Sequence, residues 1–438
     1  MFLENNTLKK FIGNTSWILF QNIYSMLVSL VVGSLSARFL GPSNYGLLSY
    51  GSSIISFFLI VSKLGMGSFV VPEMVRTPEK ESSYMGTALC LRFITSLLSF
   101  FSIWGIIVFL EPDNKLLQTV TVLQALAVIF QSTEVFYYWF QAKMEMKYVT
   151  LTSMVALTVT SVWRITLLAT SADIIWFALS ASLSALVCGI MILIFFFKRA
   201  HLKMEVHYDD ALFIIKNSYH FMINSLAITF YTQVDRIMLG KLIDERSVGY
   251  YSAAGTIAVM WEFIPNAIID SARPLLVKLY DKNKEQFIQR YQILLLGITG
   301  LGIAVGMVFI VFPKLVIWIL YGEEYYEAIP ALSILVWSTS LAMIGAARSI
   351  WIVLVRKSEY MKYFTLMGAG INIVLNAIMI PAFGIIGASF ATLITQCFVG
   401  VFAPIFFKDT REFAKIYFAS FKNIPSLIVY LKEIVRRH

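Results

Sequence analysis

The chain alternates between apolar stretches of about 20 residues and short polar joints, roughly a dozen times over. A helix needs roughly 20 apolar residues to cross a hydrocarbon core about 30 Å thick. The pattern predicts spans at 15–38, 44–70, 82–110, 116–139, 148–170 and 173–197, then at 213–239, 247–272, 287–312, 328–354, 361–382 and 384–407. The polar stretch HLKMEVHYDD, 201–210, separates the two sets. The expected fold is all-α: a polytopic membrane protein with twelve transmembrane helices in two parallel six-helix lobes, 1–200 and 213–407. An even number of spans in each half returns the chain to its starting side, so the halves read as parallel rather than inverted repeats. A cytoplasmic linker, 201–212, joins them. In the cytoplasmic tail, 408–438, Lys and Arg interrupt the apolar positions, which fits an amphipathic helix on the inner membrane surface.

The two halves also repeat in sequence. YGLLSYGSSI from Tyr45 aligns with VGYYSAAGTI from Val248, placing Gly46 over Gly249 and Ser49 over Ser252. KYVTLTSM from Lys147 aligns with KYFTLMGA from Lys362, and the sixth and twelfth spans end in IFFFK and IFFK. Three matches in one order, about 203 to 215 residues apart, point to internal duplication. Two lobes around a central cleft, with a substrate site near mid-membrane, follow from that organisation.

Composition sharpens this picture. Hydrophobic residues are 58% of the 438 positions and charged residues 14%, with a formal charge of +9. In a soluble chain the excess would suggest nucleic acid. Here it follows topology, because cytoplasmic helix ends collect Lys and Arg. With the N-terminus inside, twenty-two Lys and Arg fall in the inner joints and tail, and five in the outer joints. Both termini are expected in the cytoplasm, in a multi-pass protein of the cytoplasmic membrane, without a nucleic-acid partner. No small-residue cleavage site follows Lys9 and Lys10, so the first span is expected to be retained. Cys90, Cys188 and Cys397 lie in apolar stretches and read as packed thiols rather than metal ligands. There is no GxxxxGK[ST], HExxH or GxSxG motif, and no long outer loop for a catalytic domain. The chain is not expected to be an enzyme or to need a cofactor.

The candidate chemistry lies in groups that lipid should exclude. A charge at the bilayer centre costs at least about 2.5–3.5 kcal/mol. Arg92 sits about ten residues into its span, so it must face a cleft, an acidic partner or both. Lys63, Arg164, Arg273 and Arg348 are further basic candidates, although several lie near helix ends and can snorkel. Asp235 and Arg236 are adjacent and point about 100° apart, so they read as ion-coupling groups or as structural ion-pair partners of other helices. Glu134 and Glu262 lie in apolar sequence, as hydrogen-bonding or ion-coupling carboxylates. Gln21, Asn22 and Ser25 on the first span, and Asn217, His220 and Asn224 on the seventh, form polar stripes for helix packing or sugar hydroxyls. Asn372 and Asn376 favour packing, and YYWF at 137–140 reads as an interfacial aromatic belt.

ARFLGPSNYGLLSY, 37–50, and QVDRIMLG, 233–240, followed by VGYYSAAGTI, carry a resemblance. They look like bacterial polysaccharide transporters, the O-antigen-flippase-like members of the multidrug/oligosaccharidyl-lipid/polysaccharide exporter superfamily. The resemblance covers roughly 10–408. It implies a flippase moving undecaprenyl-diphosphate-linked oligosaccharide from the inner to the outer leaflet by alternating access. Its partners would be that lipid, the phospholipid bilayer and a glycan polymerase or glycosyltransferases. Many drug-exporting relatives carry an acidic residue on the first helix, whereas 15–38 has none. Peptidoglycan-precursor flippases draw basic cavity residues from helices two and eight, where Lys63 and Arg273 stand by helix alone. Arg92, Lys63, Arg273, Arg348, Arg164, Gln21, Asn22, His220 and Asn224 are therefore the expected substrate contacts. A multidrug or small-solute exporter and a non-transport scaffold of glycan assembly are the alternatives.

Overall fold

A backbone in lipid must satisfy its own hydrogen bonds, and the helix does so within one segment. The computed structural model describes residues 2–200, 202–422 and 424–425, and these are helical almost throughout. Lys432, Arg436 and Arg437 of the expected inner-surface tail, and the side chains of Lys9 and Lys10, lie outside the described residues.

In chain order the α-helices are α1 (Phe2–Lys63), α2 (Met66–Arg76), α3 (Glu81–Leu110), α4 (Lys115–Phe130), α5 (Val135–Ala142), α6 (Met146–Ala169), α7 (Ile174–Arg199) and α8 (Tyr208–Leu242). They continue as α9 (Glu245–Val259), α10 (Phe263–Lys282), α11 (Lys284–Val311), α12 (Pro313–Leu320), α13 (Ile329–Leu354), α14 (Glu359–Cys397), α15 (Ala403–Phe406) and α16 (Arg411–Lys422). Among the described residues, nine segments are long and apolar enough to span a membrane. Two of them break internally: at Gly41 (φ 71°, ψ 169°) in α1 and at Gly384 (φ 54°, ψ −131°) in α14. Each break divides one long segment into two helices. With α8, too polar to count among the nine, the described residues hold 12 helices of membrane length.

The joints have local causes. Asn114, Asp173, Asp244 and Asn283 accept backbone N–H bonds from Leu117, Ile175, Ser247 and Gln286, capping α4, α7, α9 and α11. Hydroxyls inside the helices bond back to their own turn, as Ser36 does to the Val32 carbonyl at 2.7 Å. The expected span 44–70 is not continuous. Leu64 (φ 49°) and Gly65 (φ 70°) are left-handed and separate α1 from α2. Hydropathy missed this because apolar residues resume directly beyond Lys63, so the stretch as a whole stays apolar across the break.

The chain divides into two compact units, Met1–Ile237 and Met238–His438, with the boundary inside α8. In the first unit the second half of α1 runs antiparallel to α3. Thr95 donates to the Ser62 carbonyl at 2.8 Å and Ser99 to the Phe58 carbonyl at 3.2 Å. Gln124 of α4 donates to the Leu48 carbonyl, and Ser182 of α7 to the Leu123 carbonyl. The segment before α8 is strapped to the start of α3. Glu205 N–H donates to the Ser82 carbonyl, His207 N–H to Thr87 Oγ1, and Ser83 and Lys80 donate to Asp210.

In the second unit α10, α11, α13 and α14 surround Trp261, Tyr291, Trp351 and Phe364. Trp261 donates to Thr339, and Tyr291 to the Ala347 carbonyl. α16 buries Phe413, Ile416 and Tyr417 in this same core, and Gln292 of α11 donates to the Ile416 carbonyl. The expected surface helix is thus docked on protein over 411–422. Its apolar stripe meets helix flanks that sequence periodicity alone could not tell from lipid.

Candidate functional site

The site begins with a helix interruption. Between α4 and α5 a tight turn, Gln131–Glu134, replaces the α-helical hydrogen-bonding register. Thr133 Oγ1 donates to the Phe130 carbonyl, and the turn lies against α7 at Gly189. The turn frees the Gln131 carbonyl and carries Glu134 toward α3. There Arg92 Nη2 meets Glu134 Oε2 at 3.1 Å and the Gln131 carbonyl at 3.5 Å. The same carboxylate oxygen meets Lys63 Nζ, from the last turn of α1, at 3.2 Å. Exposure grades outward through this cluster: the Arg92 side chain is 0% exposed, Glu134 25% and Lys63 40%. One carboxylate is shared by two cations, leaving one surplus positive charge.

Lys63 and Glu134 open onto a cavity of about 530 Å³, whose walls include Gly65, Tyr137, Tyr138 and Phe221. Tyr137 and Tyr138 are pocket walls. The next two side chains turn inward: Trp139 and Phe140 are buried, with Trp139 donating to Glu81, which also pairs with Lys143 at 2.6 Å. The far wall is α8, which supplies Phe221 and Ser225. Gly65 is where α8 comes nearest: a Cβ there would stand 2.5 Å from the Ser218 carbonyl oxygen and 2.7 Å from the Met222 nitrogen.

The other sequence candidates do not gather here. Arg164 is half-buried on α6, while Gln21 and Asn22 lie on α1 beside Tyr24, which bonds Thr158. His220 and Asn224 are exposed on α8, adjacent in sequence to the wall residues Phe221 and Ser225. Asn217 bonds its own helix at the Phe213 carbonyl. Asp235 is buried, and Arg236 donates to Gln233, which also accepts from Ser53.

In the second unit Arg273 pairs with Asp270 one turn earlier, at 3.4 Å, and Glu262 is half-buried in the turn between α9 and α10. Arg348 is only 6% exposed, donates to the Val399 and Gly400 carbonyls, and lies 4.7 Å from the centre of the Phe364 ring. Those carbonyls belong to a widened π-helical turn, Phe398–Phe402, after α14. Asn376 donates to Asn372 within the buried face of α14. Sequence reasoning found Arg92, Lys63 and Glu134 separately. It singled out Tyr137 and Tyr138 only as part of an interfacial aromatic run and did not single out Gly65; the signal for both was an apolar run interrupted at Gln131–Glu134 and at Lys63–Gly65.

With this geometry in hand, the chain can be compared with known proteins. It matches the family described as "Polysaccharide biosynthesis protein" over residues 11–280. "Probable flippase AglR" of Haloferax volcanii is 27% identical over 176 residues, a match covering 40% of this chain and 37% of that protein's length. "Putative O-antigen transporter" of Escherichia coli is 20% identical over 393 residues, covering 88% of this chain and 94% of that protein. Two solved structures share the fold at a TM-score of 0.67 each. One is the lipid II flippase MurJ in an inward closed conformation, 15% identical, covering 96% of this chain and 93% of that one. The other is an inward-facing multidrug resistance MATE family transporter of the MOP superfamily, 14% identical, covering 92% and 95%. The chain belongs to the polysaccharide biosynthesis protein family, within the superfamily of polytopic membrane transporters that includes multidrug exporters and oligosaccharide flippases.

Proposed function

We propose that this protein is an alternating-access transporter that moves an oligosaccharide linked to a polyprenyl diphosphate from the inner to the outer leaflet. The twelve helices are read as two parallel six-helix lobes, with residues 201–212 as the cytoplasmic linker and both termini on the cytoplasmic side. Alternating access is the general part of this reading, since flippases and drug exporters share the fold equally. The single observation that supports the substrate class is the surplus cation at Lys63 beside a 530 Å³ pocket walled by tyrosines. A diphosphate accepts charge-assisted hydrogen bonds from an ammonium group. Tyrosines offer ring faces and hydroxyls to sugars. The polyprenyl tail stays in lipid, so the cargo crosses with no covalent change.

The membrane potential is the proposed driving force. A diphosphate leaving an inside-negative cell gains about 2.3 kcal/mol per charge per 100 mV, and a surplus cation returning inward also moves downhill. Glu134 is held by Arg92 and Lys63, which suits a fixed counter-charge better than a proton carrier. Glu262 remains the carboxylate to test for ion coupling.

Export of a small amphipathic molecule is the second reading. It is favoured by the multidrug-exporter fold and by the modest net charge that Glu134 leaves in the pocket. Proteoliposomes loaded with fluorescent lipid-linked oligosaccharide decide between them. Potential-dependent flipping without a pH or sodium gradient supports the first reading. Efflux of cationic dyes with no flipping overturns it in favour of the second.

A further inference from the structure

The cluster and the helix break are adjacent in sequence, and that adjacency has a mechanical consequence. Lys63 is the last residue of α1 before the left-handed pair Leu64–Gly65. Its ammonium is fixed to Glu134, which Arg92 anchors inside the first unit. The Lys63–Glu134 contact therefore ties the end of α1 to the turn between α4 and α5 across the pocket mouth. One residue beyond Leu64, Gly65 carries the backbone of α8 at Ser218 and Met222, with no side chain between. α8 is held at other points too: Phe213 packs against Phe69 of α2 with ring centres 5.4 Å apart, and Ile214 is buried in the core of the first unit. α8 meets α1 through Phe57 and Phe230, with ring centres 4.9 Å apart, and through Ser53 and Gln233, and its start is strapped to α3. Much of its apolar surface, including Leu212, Phe221, Ile223 and Ile228, is exposed.

We propose that Glu134 is a built-in stand-in for the ligand's anion, and that an anionic ligand takes Lys63 from it, releasing the Leu64–Gly65 hinge and with it α8. This deepens the proposed function and rests on that reading for the identity of the anion. The exposure gradient assigns the roles. Arg92 is fully enclosed and stays with Glu134 throughout, so the carboxylate is never left bare in a poor solvent. Lys63 is the exposed partner of a shared oxygen, and its flexible stem can swing to a phosphate within the pocket. A neutral molecule in the same pocket has nothing to exchange for Glu134 and leaves the tether closed. Glu134 thereby acts as a specificity residue: it couples movement to the charge of the cargo, because a ligand shifts a conformational equilibrium only by its differential affinity for the two states.

The test uses full-length protein in nanodiscs, with Cys90, Cys188 and Cys397 replaced by Ser and spin labels at Val75→Cys on α2 and Ile228→Cys on α8, both exposed positions. Undecaprenyl diphosphate is the probe and uncharged undecaprenol the control, with binding measured separately. In the parent, the diphosphate lipid should shift the α2–α8 distance distribution and undecaprenol should not. Glu134→Gln should show the shifted distribution without lipid and bind the diphosphate lipid roughly three- to tenfold tighter, the scale of one partly exposed ion pair. That variant strands Arg92, so Lys63→Met is the companion that keeps the Arg92–Glu134 pair. It should show the shifted distribution without lipid but bind the diphosphate lipid more weakly. A shared conformation with opposite affinities is the signature of a displaced tether. If Lys63→Met keeps the parent's lipid-free distribution, the tether is refuted. If the parent binds both lipids equally, the proposed substrate class fails instead, and the lipid-free comparison of Lys63→Met with the parent still decides the tether.

Discussion

Each unit buries an arginine, and the two are satisfied in different ways. Arg92 in the first unit is fully enclosed and faces a carboxylate that is itself shared with a more exposed lysine. Arg348 in the second is nearly as enclosed, at 6% exposed. It donates to two carbonyls of the Phe398–Phe402 turn and covers the Phe364 ring. A π-helical turn leaves carbonyls without the usual i−4 partner, and an arginine fork can serve two of them. The same residue type is thus the root of an ionic relay that reaches a pocket in one unit and a backbone clamp in the other. An intramembrane charge is a functional candidate by default. What distinguishes the two is whether the chain of polar contacts ends at an accessible group.

The largest effect should come from separating the first pair. Glu134→Gln leaves a fully buried guanidinium without its carboxylate and should cost about 3–5 kcal/mol. The double variant Arg92→Met with Glu134→Gln should recover part of that loss, measured as unfolding midpoints in one detergent. Equal losses in the single and double variants would contradict the pairing. Next, Arg348→Met should cost about 2–4 kcal/mol through two under-satisfied carbonyls. Transport per folded molecule should stay within about twofold of the parent, which is under 0.5 kcal/mol in the barrier. A selective loss of transport would make Arg348 a cargo contact and erase the contrast.

Lys63→Met should reverse that profile. Its unfolding midpoint should fall little, because an exposed ion pair contributes about 0–1 kcal/mol. Flipping of lipid-linked oligosaccharide should drop about tenfold, equivalent to 1.4 kcal/mol. Unchanged flipping would remove Lys63 from the site.

The smallest effect lies at the surface of the second unit. Lys357 Nζ and the Tyr360 hydroxyl both donate to Asp409, at 2.6 and 3.1 Å, tying the start of the tail to the joint before α14. The hydrogen bond from Lys357 is the main cause holding the Asp409 carboxyl below its ordinary value, and Asp409 in turn raises Lys357. A depressed carboxyl stabilises the folded state above the ordinary Asp range and loses that contribution as pH falls through its depressed value. A raised lysine contributes below its ordinary range and loses it as pH rises through its raised value. The contact should therefore persist from mildly acidic pH to beyond pH 10 and weaken below about pH 4. Protease cleavage between 408 and 411 should accelerate slightly on acidification, and Asp409→Asn should flatten that acid response.

Much of this architecture was legible in the sequence. The apolar runs announced helices of membrane length, because lipid admits few other ways to satisfy a backbone. The expected joints between spans 15–38 and 44–70 and between 361–382 and 384–407 fall at or beside backbone breaks, at Gly41 and Gly384. Less legible was the interruption at Leu64–Gly65. Lys63 stands at its edge, but apolar residues resume beyond it, and hydropathy reports solvent preference rather than backbone angle. The docking of α16 was hidden for a similar reason, since Phe413, Ile416 and Tyr417 on one stripe suit a membrane surface as well as a protein flank.

The site divides along the same line. The sequence by itself named Arg92, Glu134 and Lys63, because each is expensive in lipid whatever its neighbours. It could not pair residues 71 and 42 positions apart, nor show one carboxylate oxygen serving both cations. That depends on where the Gln131–Glu134 turn points and on how closely α3 approaches it, which are properties of packed backbone. Nor could composition separate Arg92 from Arg348. Burial cost is a property of the residue, whereas the partner that offsets it, carboxylate or carbonyl, is chosen only when the helices meet.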